Sequence, residues 1–231
     1  ERVRFISPHP KDLTAEIVAA MSKTENVCEH LHLPLQSGSD SILSAMHRGY
    51  TGERFLRKIE QARSEIDDLS VTTDLIVGFP GESETDFEET LEVVAEAQFD
   101  AAYTYIFSPR PGTDAAEMES KFIEHAVAVR RYETLRNVVK RSSLLKHKER
   151  VGRVEEVLVE GRSKKGTDLI KARTRQNKIL HLKFQDSLRV GTYARVEVTD
   201  APSHYLLGEL LEVVAAPKHR KRIPVMAEQS A

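Results

Sequence analysis

Residues Thr72 to Asp86 read TTDLIVGFPGESETD, and this stretch decides the fold. Val71 to Val77 is largely apolar and β-branched, over the length of one buried strand. Gly78, Phe79, Pro80 and Gly81 form a turn cluster that cannot continue it. Ser83 and Asp86 stand at capping-box spacing, and Phe87, Leu91, Val94 and Ala95 recur at helical period. The unit is therefore strand, glycine loop, helix, and in such units ligands sit at the loop leaving the carboxyl end of the strand. Asp74 is a carboxylate inside this apolar strand. Either it is a satisfied structural acid, or it points into a polar lumen that holds a ligand, since a buried carboxylate needs a partner or a wet cavity.

Outward from this unit, strands alternate with helices, the pattern of parallel β/α units. Four strands are expected, near residues 3–6, 30–35, 71–77 and 102–107. Helices are expected on the stripes Leu13, Ile17, Met21 and Phe55, Ile59, Ala62, Ile66, capped by Asp12 or Thr14 and by Thr51. Ser39 or Asp40 should cap a short helix over residues 41–47. Four strands are too few to close a barrel. The chain opens directly on strand-like residues without Met, so the expectation is the second half of a β/α barrel, occupying residues 1–150 together with a long helix from about Ser120 to Arg150. Residues 151–216 then change period. Five short strands, within about sixty residues, suggest a small antiparallel barrel of the OB-like kind. The tail, residues 217–231, has the composition of a disordered segment.

The 231 residues are 40% hydrophobic and 30% charged, with no Trp, the profile of a globular protein. No run approaches the roughly 18 apolar residues of a membrane span, and no secretory signal is visible. Cys28 is the single cysteine, so an intrachain disulfide framework is excluded and a reducing, cytoplasmic setting is expected. The net charge of −2 conceals a division. Residues 1–129 carry 11 Lys and Arg against 24 Asp and Glu, whereas residues 130–231 carry 23 against 12. Such asymmetry points to a polyanion on the basic side.

LHLPLQSGSD, MHRGYT, TTDLIVGFPGESETDFEET and YIFSPRPGT occur in this order. Together they resemble the methylthiotransferase family of radical S-adenosylmethionine enzymes. VEEVLVEGRSKKG, ARTRQNK and GTYARVEVTDA resemble that family's TRAM domain, a small RNA-binding β-barrel. SPRPGT is closer to the tRNA-modifying branch than to the branch that modifies an aspartate of a ribosomal protein. The resemblance implies S-adenosylmethionine and two [4Fe-4S] clusters as cofactors, tRNA as partner, and transfer of a methylthio group to C2 of a prenylated adenosine beside the anticodon. It also implies that the cluster cysteines lie in an N-terminal part of the same protein, because Cys28 matches none of them; this chain alone is expected to be inactive. A stand-alone, non-catalytic RNA-binding protein is the alternative from another class.

The resemblance places the loop Gln36, Ser37, Gly38 beside S-adenosylmethionine, and Asp74 and Gly78 are expected to contact the cofactor as well. Arg48 and Arg110 are loop cations near the same end, suited to a carboxylate or an RNA phosphate. His30 and His32 share a strand face and read as packed, hydrogen-bonded histidines rather than metal ligands. For RNA, the expected contacts are Arg162, Lys164, Lys165, Lys171, Arg173, Arg175 and Lys178, since several cations on phosphates give strong, salt-sensitive affinity. His181, Phe184, Tyr193 and Tyr205 are candidates for base stacking.

Overall fold

The computed structural model describes residues 1–4, 6, 8–164 and 168–217. Lys165 and the tail beyond Pro217 lie outside the described residues. Three parallel strands, β1 (His30–His32), β2 (Ser70–Val77) and β3 (Ala101–Ile106), form one sheet in that order. Around it run α1 (Ala15–Lys23), α2 (Asp40–Ala45), α3 (Gly52–Glu65), α4 (Glu84–Ala97), the single turn α5 (Asp114–Glu117) and α6 (His125–Lys148). The fold is a partial β/α barrel, with three sheet strands among the described residues where four are expected. Among the described residues, the 3–6 segment makes one bridge, Val3 to Val27. Arg2 and Arg4 bond the second domain: Arg2 donates to the carbonyls of Arg173 and Glu156 at 2.7 and 2.6 Å, and Arg4 to that of Thr174 at 2.6 Å. These two side chains thus tie the start of the chain to the second domain.

The helix starts follow local chemistry. Thr14 and Thr51 cap α1 and α3 with their hydroxyls. Ser83 and Asp86 form the expected capping box on α4, satisfying two otherwise orphaned N–H groups. On the helix-covered face of the sheet, Val71, Leu75 and Val77 are fully buried with Leu31, Leu33 and Leu35. They pack against Phe55, Ile59, Phe87, Val94 and Leu135 in one core. The opposite, concave face carries His30, His32, Thr72, Asp74 and Ile76, with Tyr103 and Tyr105 in register on β3. β2 is thus apolar on one face and mostly polar on the other.

The second domain comprises β4 (Val154–Arg162), β5 (Leu169–Thr174), β6 (Ile179–Lys183), β7 (Tyr193–Asp200) and β8 (Leu206–Ala215). They close a barrel in the order β4-β5-β6-β8-β7 around Val157, Ile170, Leu180, Leu182, Val196 and Leu206. The barrel is mixed rather than antiparallel, since β6 and β8 run parallel. The reason is arithmetical: a closed ring with an odd number of strands must contain at least one parallel pair.

Ion pairs, buried and half-buried, hold the two domains together. Arg150 grips Asp68 with two nitrogens at 3.0 and 2.7 Å and donates to Glu155 at 2.6 Å, while Gln176 adds a bond to Asp68 at 2.8 Å. Asp68 and Glu155 raise the Arg150 pKa despite the opposing effect of burial. Arg175 pairs with Glu29 at 2.6 Å and Lys178 with Asp100 at 2.6 Å.

Candidate functional site

A cavity of about 700 Å³ opens where the strands end, lined by residues following β1 (Gln36), from β2 (Asp74, Ile76) and from the β3 end (Tyr105, Phe107). Arg48 and Arg110 enter it from their loops, together with Met46, His47 and Asp114. One wall is therefore apolar and aromatic, and the other offers an amide, carboxylates and guanidinium groups. That combination suits a ligand with a flat, partly apolar body and charged ends.

Gln36 has a backbone φ of 71°, a conformation that costs a non-glycine residue of order 1–3 kcal/mol. Two main-chain bonds hold it there: its N–H donates to Asp74 O at 2.8 Å, and its carbonyl accepts from Ile76 N at 2.8 Å. The strain delivers the Gln36 side chain to the cavity wall. Asp74 sits beside it, its side chain 26% exposed and its Oδ2 3.4 Å from His32 Nε2.

The other three expected cofactor contacts lie in packing and do not line the cavity. Ser37 is fully buried, 3.2 Å from Thr90 Oγ1. Gly38 donates to the same hydroxyl at 3.0 Å, and a Cβ there would stand 2.6 Å from Thr90 Cα, so glycine is required for the loop to touch α4. Gly78 has φ 72° and donates to Glu82 Oε2 at 2.8 Å. Glu82 is in turn held by Arg131 of α6 at 2.8 Å, with both side chains buried. Burial raises the Glu82 pKa, although Gly78 and Arg131 oppose it. The Gly78 amide is thus taken internally.

Below Asp74, on the same concave face, lies a second cavity of about 650 Å³ between the domains. His30, His32, Thr72 and Tyr103 form its floor, Arg136 and Lys140 of α6 one side, and Arg173, Asn177 and Lys178 the other. His30 Nε2 and His32 Nδ1 both meet Thr72 Oγ1, at 3.0 and 2.9 Å, as packed and hydrogen-bonded histidines do. Burial foremost, then Arg4 and His32, lowers the His30 pKa to about 4.

The expected RNA contacts separate into three groups. Arg175 and Lys178 belong to the domain seam: the Lys178 side chain is 4% exposed against Asp100, and Arg175 is committed to Glu29. Lys171 and Arg173 both pair with Glu160, which lowers that carboxyl's pKa against the effect of burial. Arg162 and Lys164 lie instead at one rim of the barrel, where Lys183 and Phe184 end β6. The Arg162 guanidinium stacks 4.4 Å above the exposed Phe184 ring, and Asp168 and Asp186 in the adjoining loops reduce the net charge there. Among the proposed stacking residues, His181 is buried against Tyr205, and Tyr193 lies beneath Arg2. The exposed Tyr103 and Tyr105 were missed by the sequence reading, although their alternation in β3 was the available signal.

The single cysteine, Cys28, is buried, and among the described residues no group of three or more His, Cys, Asp or Glu side chains could hold a metal ion. Iron–sulfur clusters take several thiolates, so the donors of this chain do not fit one. Among the described residues, no helix is long and apolar enough to cross a membrane.

Comparison with known proteins fits this architecture. The Radical SAM superfamily model matches residues 1–94 and the TRAM domain model residues 148–211. A tRNA-2-methylthio-N(6)-dimethylallyladenosine synthase of a Thermoanaerobacter species is 47% identical over 214 residues, 93% of this chain and 45% of the relative. The protein of the same name from Streptomyces coelicolor is 48% identical over 213 residues, 90% of this chain and 42% of its own length. The chain thus spans under half the length of these curated relatives. A coproporphyrinogen III oxidase from Escherichia coli, described as a radical SAM enzyme, superposes with a TM-score of 0.52 at 13% identity, covering 83% of this chain and 45% of that one, and supports the fold alone. The chain therefore combines a radical SAM region with a TRAM domain and is homologous, over most of its own length, to the tRNA-2-methylthio-N(6)-dimethylallyladenosine synthases.

Proposed function

We propose that this chain is the cofactor-facing and RNA-facing part of a cytoplasmic tRNA methylthiotransferase that acts at C2 of a prenylated adenosine beside the anticodon. The observation that carries the reading is that one chain holds both a strand-end cavity and a TRAM barrel, docked through the buried Lys178–Asp100 pair, at 47% identity over 214 residues to a tRNA-2-methylthio-N(6)-dimethylallyladenosine synthase. S-adenosylmethionine, bound in the strand-end cavity, would supply a methyl group and radical chemistry. The residues suited to hold it are Gln36 and Asp74, which can bond a ribose or an ammonium group, and Arg48 or Arg110, which can pair with a carboxylate. Tyr105 and Phe107 supply an apolar wall. The [4Fe-4S] clusters require thiolates from outside this chain, in the part of the protein that the longer relatives include. Without them the chain performs no turnover.

RNA is gripped at the Arg162, Lys164, Lys183 rim, with Phe184 available to a base; Arg175 and Lys178 serve the seam. The test is fluorescence anisotropy of labelled, unmodified tRNA titrated with this chain over a salt series. Reversing Arg162, Lys164 and Lys183 to Glu is expected to weaken binding at least tenfold and to reduce the logarithmic salt slope by about 1 per lost phosphate contact. Unchanged affinity overturns the assignment.

A further inference from the structure

The His32–Asp74 contact is the wall between the two cavities, and the groups behind it form a continuous line. From the strand-end cavity inward the order is Asp74 Oδ2, His32 Nε2 at 3.4 Å, His32 Nδ1 to Thr72 Oγ1 at 2.9 Å, Thr72 Oγ1 to His30 Nε2 at 3.0 Å, and His30 Nε2 to Asn177 Nδ2 at 3.4 Å. Asn177 belongs to the small barrel, and its amide oxygen is engaged by Arg173 at 3.0 Å, which fixes its NH₂ toward His30. We infer that His30, Thr72 and His32 are positioning residues forming a hydrogen-bond relay, whose polarity is set at one end by Asp74 in the strand-end cavity and at the other by Asn177 of the second domain.

Proton counting permits two arrangements with neutral imidazoles. In one, His32 Nε2–H donates to Asp74, the Thr72 hydroxyl donates to His32 Nδ1, and His30 Nε2–H donates to Thr72. In the other every bond reverses. His32 Nδ1–H donates to Thr72, Thr72 donates to the single lone pair of His30 Nε2, the Asn177 NH₂ shares that lone pair as a longer three-centre contact at 3.4 Å, and Asp74 faces a bare lone pair. A hydroxyl carries one proton, so Thr72 cannot donate to both rings, and the two histidines must switch tautomer together. The carboxylate decides the resting state, because a bond to an ionised acceptor is roughly twice as strong as a neutral one. The weaker contact from the Asn177 amide is the one given up. Among the described residues the buried His30 Nδ1 has no partner, so the reversed arrangement, which places the proton there, leaves an orphaned N–H and adds to the preference for the first.

The consequence is coupling between the cavities. A ligand group that takes over the Asp74 carboxylate releases the line to reverse and engage Asn177; a ligand that draws Asn177 away favours the state aimed at Asp74. This consequence rests on the ligand role proposed above for the strand-end cavity, but the relay is testable without any ligand. Two-bond ¹⁵N–¹H correlation spectra of the ¹⁵N-histidine-labelled chain report each tautomer. Both His30 and His32 are expected as Nε2–H in the wild type. In Asp74→Leu both are expected to move toward Nδ1–H, including His30, which does not touch Asp74. In Thr72→Val/Asp74→Leu the His30 response is lost, while amide spectra confirm folding. A wild-type His32 in the Nδ1–H form overturns the relay, as does a His30 that ignores Asp74→Leu. Because the wild-type tautomer needs no variant, failure of a variant to fold leaves the relay still testable.

Discussion

Lys178 offers the sharpest test of how the halves are joined. Its ammonium lies 2.6 Å from Asp100 Oδ1, with the two side chains 4% and 8% exposed, and Asp100 Oδ2 accepts the Val71 N–H at 2.9 Å. Replacing Lys178 by Met keeps the bulk of the stem but leaves a carboxylate buried without its counter-ion. Breaking a buried pair in this way costs about 3–5 kcal/mol, far more than the roughly 0–1 kcal/mol of an exposed pair. The K178M/D100N double variant should recover about 2 kcal/mol of that, since no unpaired charge remains. The chain lacks Trp, so urea unfolding followed by far-UV circular dichroism is the suitable measurement, with the midpoints extrapolated linearly. At low temperature, where K178M is folded, its affinity for tRNA should match that of the wild type, because the ammonium faces Asp100 and not the surface. Stability within about 1 kcal/mol of the wild type would refute the reasoning, as would a loss of RNA affinity in the folded variant.

Gly38→Ala is expected to destabilise by about 1–3 kcal/mol, because its Cβ would stand 2.6 Å from Thr90 Cα and 2.9 Å from Glu89 O. Gly49→Ala, with φ 71° but nothing within 4 Å, should cost only about 1 kcal/mol; equal losses in the two urea titrations would contradict this packing. His147 donates through Nδ1 to Pro202 O at 3.0 Å, and burial foremost, then Lys178, lowers its pKa to about 4. Its unfolded form gains a proton near the ordinary value of about 6.5, so stability is complete above that pH and falls as pH drops toward 4, by up to about 3 kcal/mol. His147→Asn keeps a donor for the carbonyl without titrating, and its stability should depend less on pH in that window; equal slopes would exclude the histidine as the cause.

What the sequence by itself determined is local. The glycine loop and the Ser83–Asp86 box are written within fifteen residues, so the strand–loop–helix unit was legible, as were the cap Thr51, Thr14 as one of two candidates for the first cap, and the short spacing of the five barrel strands. The family resemblance marked Gln36 and Asp74 for the same ligand, and the two line one cavity. Only the tertiary structure decided which of the marked residues turn inward. Ser37, Gly38 and Gly78 are claimed by Thr90 and Glu82, partners set by how α4 and the turn before it pack. The charge division was visible in composition, yet its use was not. Lys178 finds Asp100 across 78 residues and Arg175 finds Glu29 across 146, so these cations hold the domains together while Arg162 and Lys164 remain at the rim. Sequence patterns record what a residue's neighbours along the chain require. Which charge is buried against which depends on the closing of the barrel and its docking, and that is information carried only by distance in space.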